Sequence, residues 1–113
     1  MHETAIAQDI ITIVEETLKN HPESTLKTVR VSIGEMVAIV PDLLQHAYES
    51  LIDDTRLAGS RLDIDIIEIS AVCMSCKKAI GLKEFEFLCP FCQSSEIEIK
   101  TGNEFYVKEL CVE

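Results

Sequence analysis

The sequence predicts an α+β fold: two helices on one face of a three-stranded sheet, with a cysteine-rich insert ahead of the last strand. Three observations carry this. Apolar residues recur at helical spacing in two stretches and alternate with polar ones in three others. Four cysteines stand as two Cys-x2-Cys pairs between the second and third alternating stretches. At 113 residues the chain has the size of one domain carrying a small stapled insert.

Within residues 3–20, Ile6, Ile10, Ile13, Val14, Thr17 and Leu18 fall on one helical face, leaving Gln8, Asp9, Glu15, Glu16 and Lys19 to water. Asn20-His21-Pro22 ends this helix, because proline disfavours helical geometry in the residue before it. Val29, Val31 and Ile33 alternate with Thr28, Arg30 and Ser32, the pattern of a half-buried strand that exits at Gly34. Pro41 suits the first turn of a second helix. Its apolar face carries Leu44, Ala47, Tyr48 and Leu51, and the stretch from Asp53-Asp54 to Gly59-Ser60 closes it. Leu62, Ile64 and Ile66 alternate with Asp63 and Asp65 as a second strand, and a parity change at Ile66-Ile67 suggests a bulge or twist. Residues 104–112 read as a third strand. Packing both helices on one face of the sheet is the simplest way to bury all these stripes.

Composition narrows the function classes. A chain that is 47% hydrophobic and 27% charged belongs with soluble globular proteins rather than disordered ones. Its 20 acidic residues against 10 basic ones give a net charge of -10, which argues against a nucleic-acid module. No apolar run approaches the roughly 20 residues that span a bilayer. The start shows no basic region followed by an apolar core, so a cytoplasmic location is expected.

Cys73-Met74-Ser75-Cys76 and Cys89-Pro90-Phe91-Cys92 are separated by the twelve residues 77–88. Each short spacing turns the backbone into a knuckle whose two sulfurs reach one ion, and two knuckles close a tetrahedral shell. Thiolates select zinc or iron over magnesium or calcium. With four protein ligands the site has no open position, so zinc there would be structural, and it would take the net charge to about −12. Ile80, Leu82, Phe85, Phe87, Leu88 and Phe91 are too few apolar residues to fold the insert without a metal. A redox dithiol, a rubredoxin-like iron centre and a pair of disulfides remain as alternatives for these residues. Cys111 reads as a small hydrophobe of the last strand. The domains expected are residues 1–70 plus 103–113 and an inserted zinc-ribbon domain of residues 71–102.

The amino terminus is the second informative feature. The Met1 amine and the amide nitrogens of His2 and Glu3 can share a plane around a metal, and the His2 imidazole can close the fourth corner. Such nitrogen coordination suits Ni(II) or Cu(II), not zinc, and weakens as pH falls because the ligands must shed protons. The first helix is expected to begin a few residues later. His21 and His46 read as a helix-end and a surface residue. No nucleophile-base pair or phosphate loop is present, so the chain is not expected to be an enzyme.

Taken together, Met1-His2-Glu3, Ile33-Gly34-Glu35, Val40-Pro41-Asp42, the tetracysteine spacing and Gly102-Asn103-Glu104 resemble the HypA/HybF family over the whole chain. That family consists of nickel metallochaperones for [NiFe]-hydrogenase maturation. The resemblance implies nickel bound weakly at Met1, His2 and Glu3, with His2 as the ligand side chain. It also implies zinc on Cys73, Cys76, Cys89 and Cys92. The implied partners are a HypB-type maturation GTPase, the hydrogenase large subunit and, in some organisms, urease maturation proteins, without nucleic acid or membrane. The competing readings are a zinc-ribbon adaptor with an inert amino terminus and a rubredoxin-like electron carrier.

Overall fold

The structure, a computed structural model, describes residues 2–81 and 88–113. Met1, the His2 side chain and residues 82–87 lie outside the described residues, and with them the expected apolar positions Leu82, Phe85 and Phe87. The elements are α1 (His2–Leu18), β1 (Leu26–Gly34), a 3-10 turn (Glu35–Val37), α2 (Pro41–Ile52), β2 (Arg61–Ile67), β3 (Ser70–Cys73), β4 (Ala79–Gly81), β5 (Ile97–Thr101) and β6 (Phe105–Val112). They form one sheet in the order β2-β1-β6 and another in the order β4-β3-β5. The fold is α+β, with two helices, a three-stranded sheet and an inserted cysteine ribbon that has a small sheet of its own. The chain divides into two compact units, Met1–Ser32 with Ile39–Asp65 and Tyr106–Glu113, and Ile33–Ala38 with Ile66–Phe105.

In the first unit α1 buries Ile6, Ala7, Ile10, Val14 and Leu18. Ile13 and Thr17, expected on that face, lie at the margin of a stripe that winds slowly around the helix. Ile13 is 42% exposed, and the Thr17 hydroxyl donates back to the Ile13 carbonyl at 2.9 Å. The last carbonyls of a helix lack intrahelical donors. Here the Leu18 carbonyl accepts the His21 N–H at 2.8 Å and the Arg56 guanidinium at 3.3 Å, and Arg56 also donates to the loop carbonyls of His21 at 3.1 Å and Ser24 at 2.9 Å.

α2 starts at Pro41 after the extended residue Val40, whose N–H donates to the Glu3 carboxylate at 3.0 Å. It buries Leu44, Tyr48 and Ile52. Four-residue spacing carries the stripe from Tyr48 to Ile52, so Ile52 takes the inward place expected for Leu51, which stays 37% exposed. The Tyr48 hydroxyl lies 2.6 Å from the Ser60 hydroxyl, which donates onward to the Leu57 carbonyl at 2.7 Å. Burial raises the Tyr48 pKa above its ordinary value. Across the sheet Arg30 of β1 pairs with Asp63 of β2 at 3.3 Å and with Glu109 of β6 at 2.5 Å.

The second unit is built around β3, which pairs antiparallel with both neighbours: Ala71 faces Ile80 of β4 and Ile99 of β5, and Cys73 faces Ile97. β2 runs through Ile67, with Ile66 exposed and Ile67 half-buried where the change of parity was expected, and a register shift occurs between β3 and β5 at Ser70/Ala71. Ile69, Ala71, Cys73, Ile80 and Cys89 form the core, with Met36, Ile97 and Ile99 against it. Gly34 N–H donates to the Glu104 carbonyl at 2.7 Å and Met36 N–H to the Gly102 carbonyl at 2.6 Å. The Glu35 carboxylate accepts the Ile69 N–H at 3.1 Å, and the Glu104 carboxylate accepts the Gly102 N–H at 2.7 Å. A side chain on Gly34 would run into the Gly102 carbonyl and the Asn103 nitrogen, and Gly102 sits at φ +117°, a conformation that suits glycine.

Two outcomes are expected. Gly34→Ala forces backbone against backbone, so its urea midpoint should fall by an amount equivalent to roughly 3 kcal/mol or more. Tyr48→Phe should cost about 1 kcal/mol at neutral pH. The raised Tyr48 pKa means that the folded state holds this proton more tightly than the unfolded state. Stability from it is complete below the ordinary tyrosine range and declines as pH rises above it, and urea titrations at alkaline pH should show that decline vanish in Tyr48→Phe.

Candidate metal centres

The two cysteine pairs adopt the same backbone conformation. Cys73 N–H donates to the Lys78 carbonyl at 3.0 Å while its carbonyl accepts Lys77 N–H at 2.9 Å. Cys89 N–H donates to the Ser94 carbonyl at 2.9 Å while its carbonyl accepts Gln93 N–H at 2.8 Å. In each case the residue after the second cysteine is left-handed, Lys77 at φ 66° and Gln93 at φ 60°. Backbone N–H groups also point at sulfur: Cys76 N–H at Cys73 Sγ and Phe91 N–H at Cys89 Sγ, both at 3.4 Å. The hydroxyls of Ser75 and Ser94, 2.8 Å apart, and the Lys78 ammonium, 4.5 Å from the Phe91 ring centre, join one knuckle to the other.

These turns bring all four sulfurs within 4.8 Å of one another. Cys73 and Cys92 are 3.5 Å apart, and Cys76 and Cys89 are 3.7 Å apart. A tetrahedral shell with metal–sulfur bonds of 2.3 Å requires sulfur–sulfur edges of about 3.8 Å, so the sulfurs stand at the spacing of a shared ion. A disulfide would require a bond of about 2.0 Å. Cys73 and Cys89 are buried. Hydrogen bonds from the Cys76 and Ser75 backbone bring the Cys73 thiol down to about 6. Burial pushes the Cys89 thiol up, but the N–H groups of Cys92 and Phe91 outweigh it and the net shift is downward. A Ser94 backbone hydrogen bond lowers Cys92, yet the three neighbouring thiols and burial push it up to about 12. Sulfurs this close resist carrying four negative charges, and a divalent cation removes that conflict.

Among the described residues these cysteines are the one group of three or more His, Cys, Asp or Glu side chains close enough to share an ion. Cys111 is half-buried on β6, and His21 and His46 are exposed. At the amino terminus His2 already belongs to α1, which therefore begins at the Met1-His2-Glu3 triplet rather than a few residues beyond it. Its first-turn N–H groups have no acceptor within the helix. The Glu3–Val40 hydrogen bond joins partners 37 residues apart and could not be foreseen from local pattern. The left-handed residues Lys77 and Gln93 were equally hidden, because neither is glycine.

An α+β unit carrying a two-knuckle, four-thiol ribbon defines a small metal-binding protein. The chain belongs to the HypA family: the model of that family, described as hydrogenase/urease nickel incorporation, metallochaperone, matches residues 1–112. A hydrogenase maturation factor HypA of Desulfatibacillum aliphaticivorans is 34% identical over 97% of this chain and 85% of its own length. A protein of the same name from Lawsonia intracellularis is 32% identical over the whole of both chains. The solution structure of the nickel metallochaperone HypA from Helicobacter pylori superposes with a TM-score of 0.66 at 26% identity, covering 97% of this chain and 96% of that one.

Replacing Cys76 or Cys89 by Ser breaks the thiol set. Amide exchange in residues 66–105 is expected to accelerate, with protection in α1 and α2 retained. Loss of protection in both helices would show that the two units do not fold separately.

Proposed function

We propose that the protein is a nickel metallochaperone that binds Ni(II) at Met1, His2 and Glu3 and delivers it for [NiFe]-hydrogenase maturation, without catalysis of its own. The supporting observation is the family match over residues 1–112, which takes in the amino-terminal triplet and the tetracysteine ribbon. In this reading residues 1–70 plus 103–113 are the nickel-binding domain and residues 71–102 the zinc-binding domain. Zn(II) on Cys73, Cys76, Cys89 and Cys92 is structural. The protein works in the cytoplasm with a HypB-type GTPase and the hydrogenase large subunit, and urease maturation proteins belong to the same class of partner.

In this reading nickel binding carries a cost and a release route. Successive nitrogens of a helix do not lie in one plane, so gathering those of Met1, His2 and Glu3 around a flat nickel ion unwinds the first turn of α1. The Glu3 carboxylate meanwhile tethers the chain to Val40. A site assembled from a chain end can lose its ligands one at a time to a receiving site, which favours handover over permanent retention.

Nickel titration of protein with an unmodified start is the test. About one nickel ion per chain is expected, with square-planar absorption. Binding should fall at least tenfold in His2→Ala and also when Gly-Ser precedes Met1, because that moves the free amine. Equal binding by all three proteins would remove the amino-terminal site and leave a zinc-ribbon interaction module.

A further inference from the structure

The sheet order β2-β1-β6 leaves β2 at one end, with β1 along one edge and, among the described residues, no strand along the other. A groove of about 370 Å³ lies between β2 and α2, lined in succession by Arg61, Leu62, Asp63 and Ile64. Side chains of a strand alternate between its faces, so a groove that touches four consecutive residues follows the strand's edge. Across it stand Asp42, Gln45 and Glu49, which their three- and four-residue spacing sets on one flank of α2. Gln45 donates to the Glu49 carboxylate at 3.0 Å.

The two faces of this edge differ in charge balance. Asp63 and Asp65 share the face opposite buried Leu62. There Arg30 bonds Asp63 at 3.3 Å, and Arg30 and Lys108 line one hollow with both aspartates. On the helix side, residues 41–54 contain neither lysine nor arginine, and Arg61 is the one cation lining the groove.

We propose that the free edge of β2 accepts an extended segment of a partner protein as a fourth strand, with lysine or arginine at every second position turned toward Asp42 and Glu49. Backbone N–H and C=O groups of the edge provide the pairing, and the carboxylates of α2 select the cations. The added strand would lie about 4.8 Å beyond β2. Seven residues of helix, from Asp42 to Glu49, rise about 10 Å, which spans two alternate side chains about 7 Å apart on an extended chain. A second copy of this chain is the poorer occupant, because it would set the same carboxylates against their own counterparts and add a further net charge of -10. Docking at this edge requires no nickel and is independent of the delivery role.

The probe is a fluorescein-labelled nine-residue peptide alternating lysine with threonine. Its controls are a counterpart with glutamate in place of lysine and a lysine version N-methylated along its backbone. Each is titrated into the full zinc-loaded chain without nickel. The lysine peptide should bind and slow amide exchange in residues 61–65, and neither control should bind. Asp42→Asn combined with Glu49→Gln alters two exposed carboxylates, with the fold checked by circular dichroism, and should weaken binding at least tenfold. Asp9→Asn combined with Glu16→Gln on α1 removes the same charge and should leave binding unchanged, which separates this edge from attraction to the acidic chain as a whole. Absence of binding, equal binding of either control peptide, no added protection in residues 61–65, or equal affinity of the two charge variants would overturn the proposal. So would a dimer that the peptide dissociates, which would make the occupant a second copy. Nickel stoichiometry measured on the same proteins reads the delivery role separately, so failure of either result leaves the other standing.

Discussion

Four sulfur atoms forced into a space of 4.8 Å govern residues 66–105. The core there is thin: Ile69, Ala71, Ile80 and two of the cysteines themselves, Cys73 and Cys89, are its buried members. An ion-binding side chain thus doubles as a packing residue. β3 delivers Cys73 at its end, and the knuckle hydrogen bonds fix the turn that follows. Two copies of one backbone conformation, each closed by a left-handed residue, create the shell from two short segments. Among the described residues Leu88 and Phe91 are exposed and add nothing to this core.

The glycines of the ribbon unit solve a different problem. Gly34 and Gly102 let two backbone segments approach more closely than any side chain permits. The carboxylates beside them, Glu35 and Glu104, then accept N–H groups that the approach would otherwise leave without partners. The Gly-Glu and Gly-Asn-Glu motifs are therefore two halves of one crossing. This assigns them a structural purpose that does not depend on metal.

Much of this architecture was legible in the sequence because it is local. Period 3.6 placed α1 and α2, period 2 placed β1, β2 and β6, and cysteine spacing marked the ribbon. What escaped was long-range. Ile52 displaces Leu51 from the interior because the covered side of α2 is chosen by what packs on it, while its apolar arc is wide enough to allow either. The short strands β3, β4 and β5 carry too few residues for alternation to stand out, and β3 and β5 pair from opposite ends of the cysteine segment. Lys77 and Gln93 adopt a glycine-like conformation with ordinary side chains, their N–H groups donating to the carbonyls of Cys73 and Cys89. The clustering of the four cysteines was readable from the chain, whereas the helical state of His2 and the engagement of Glu3 were not.

Arg56 has a consequence for motion. One guanidinium grips carbonyls on Leu18, His21 and Ser24, so the carboxyl end of the first helix is riveted to the loop that follows the second. Helices fray from whichever end is held more weakly. With that terminus riveted, this seventeen-residue helix resists fraying at its carboxyl end.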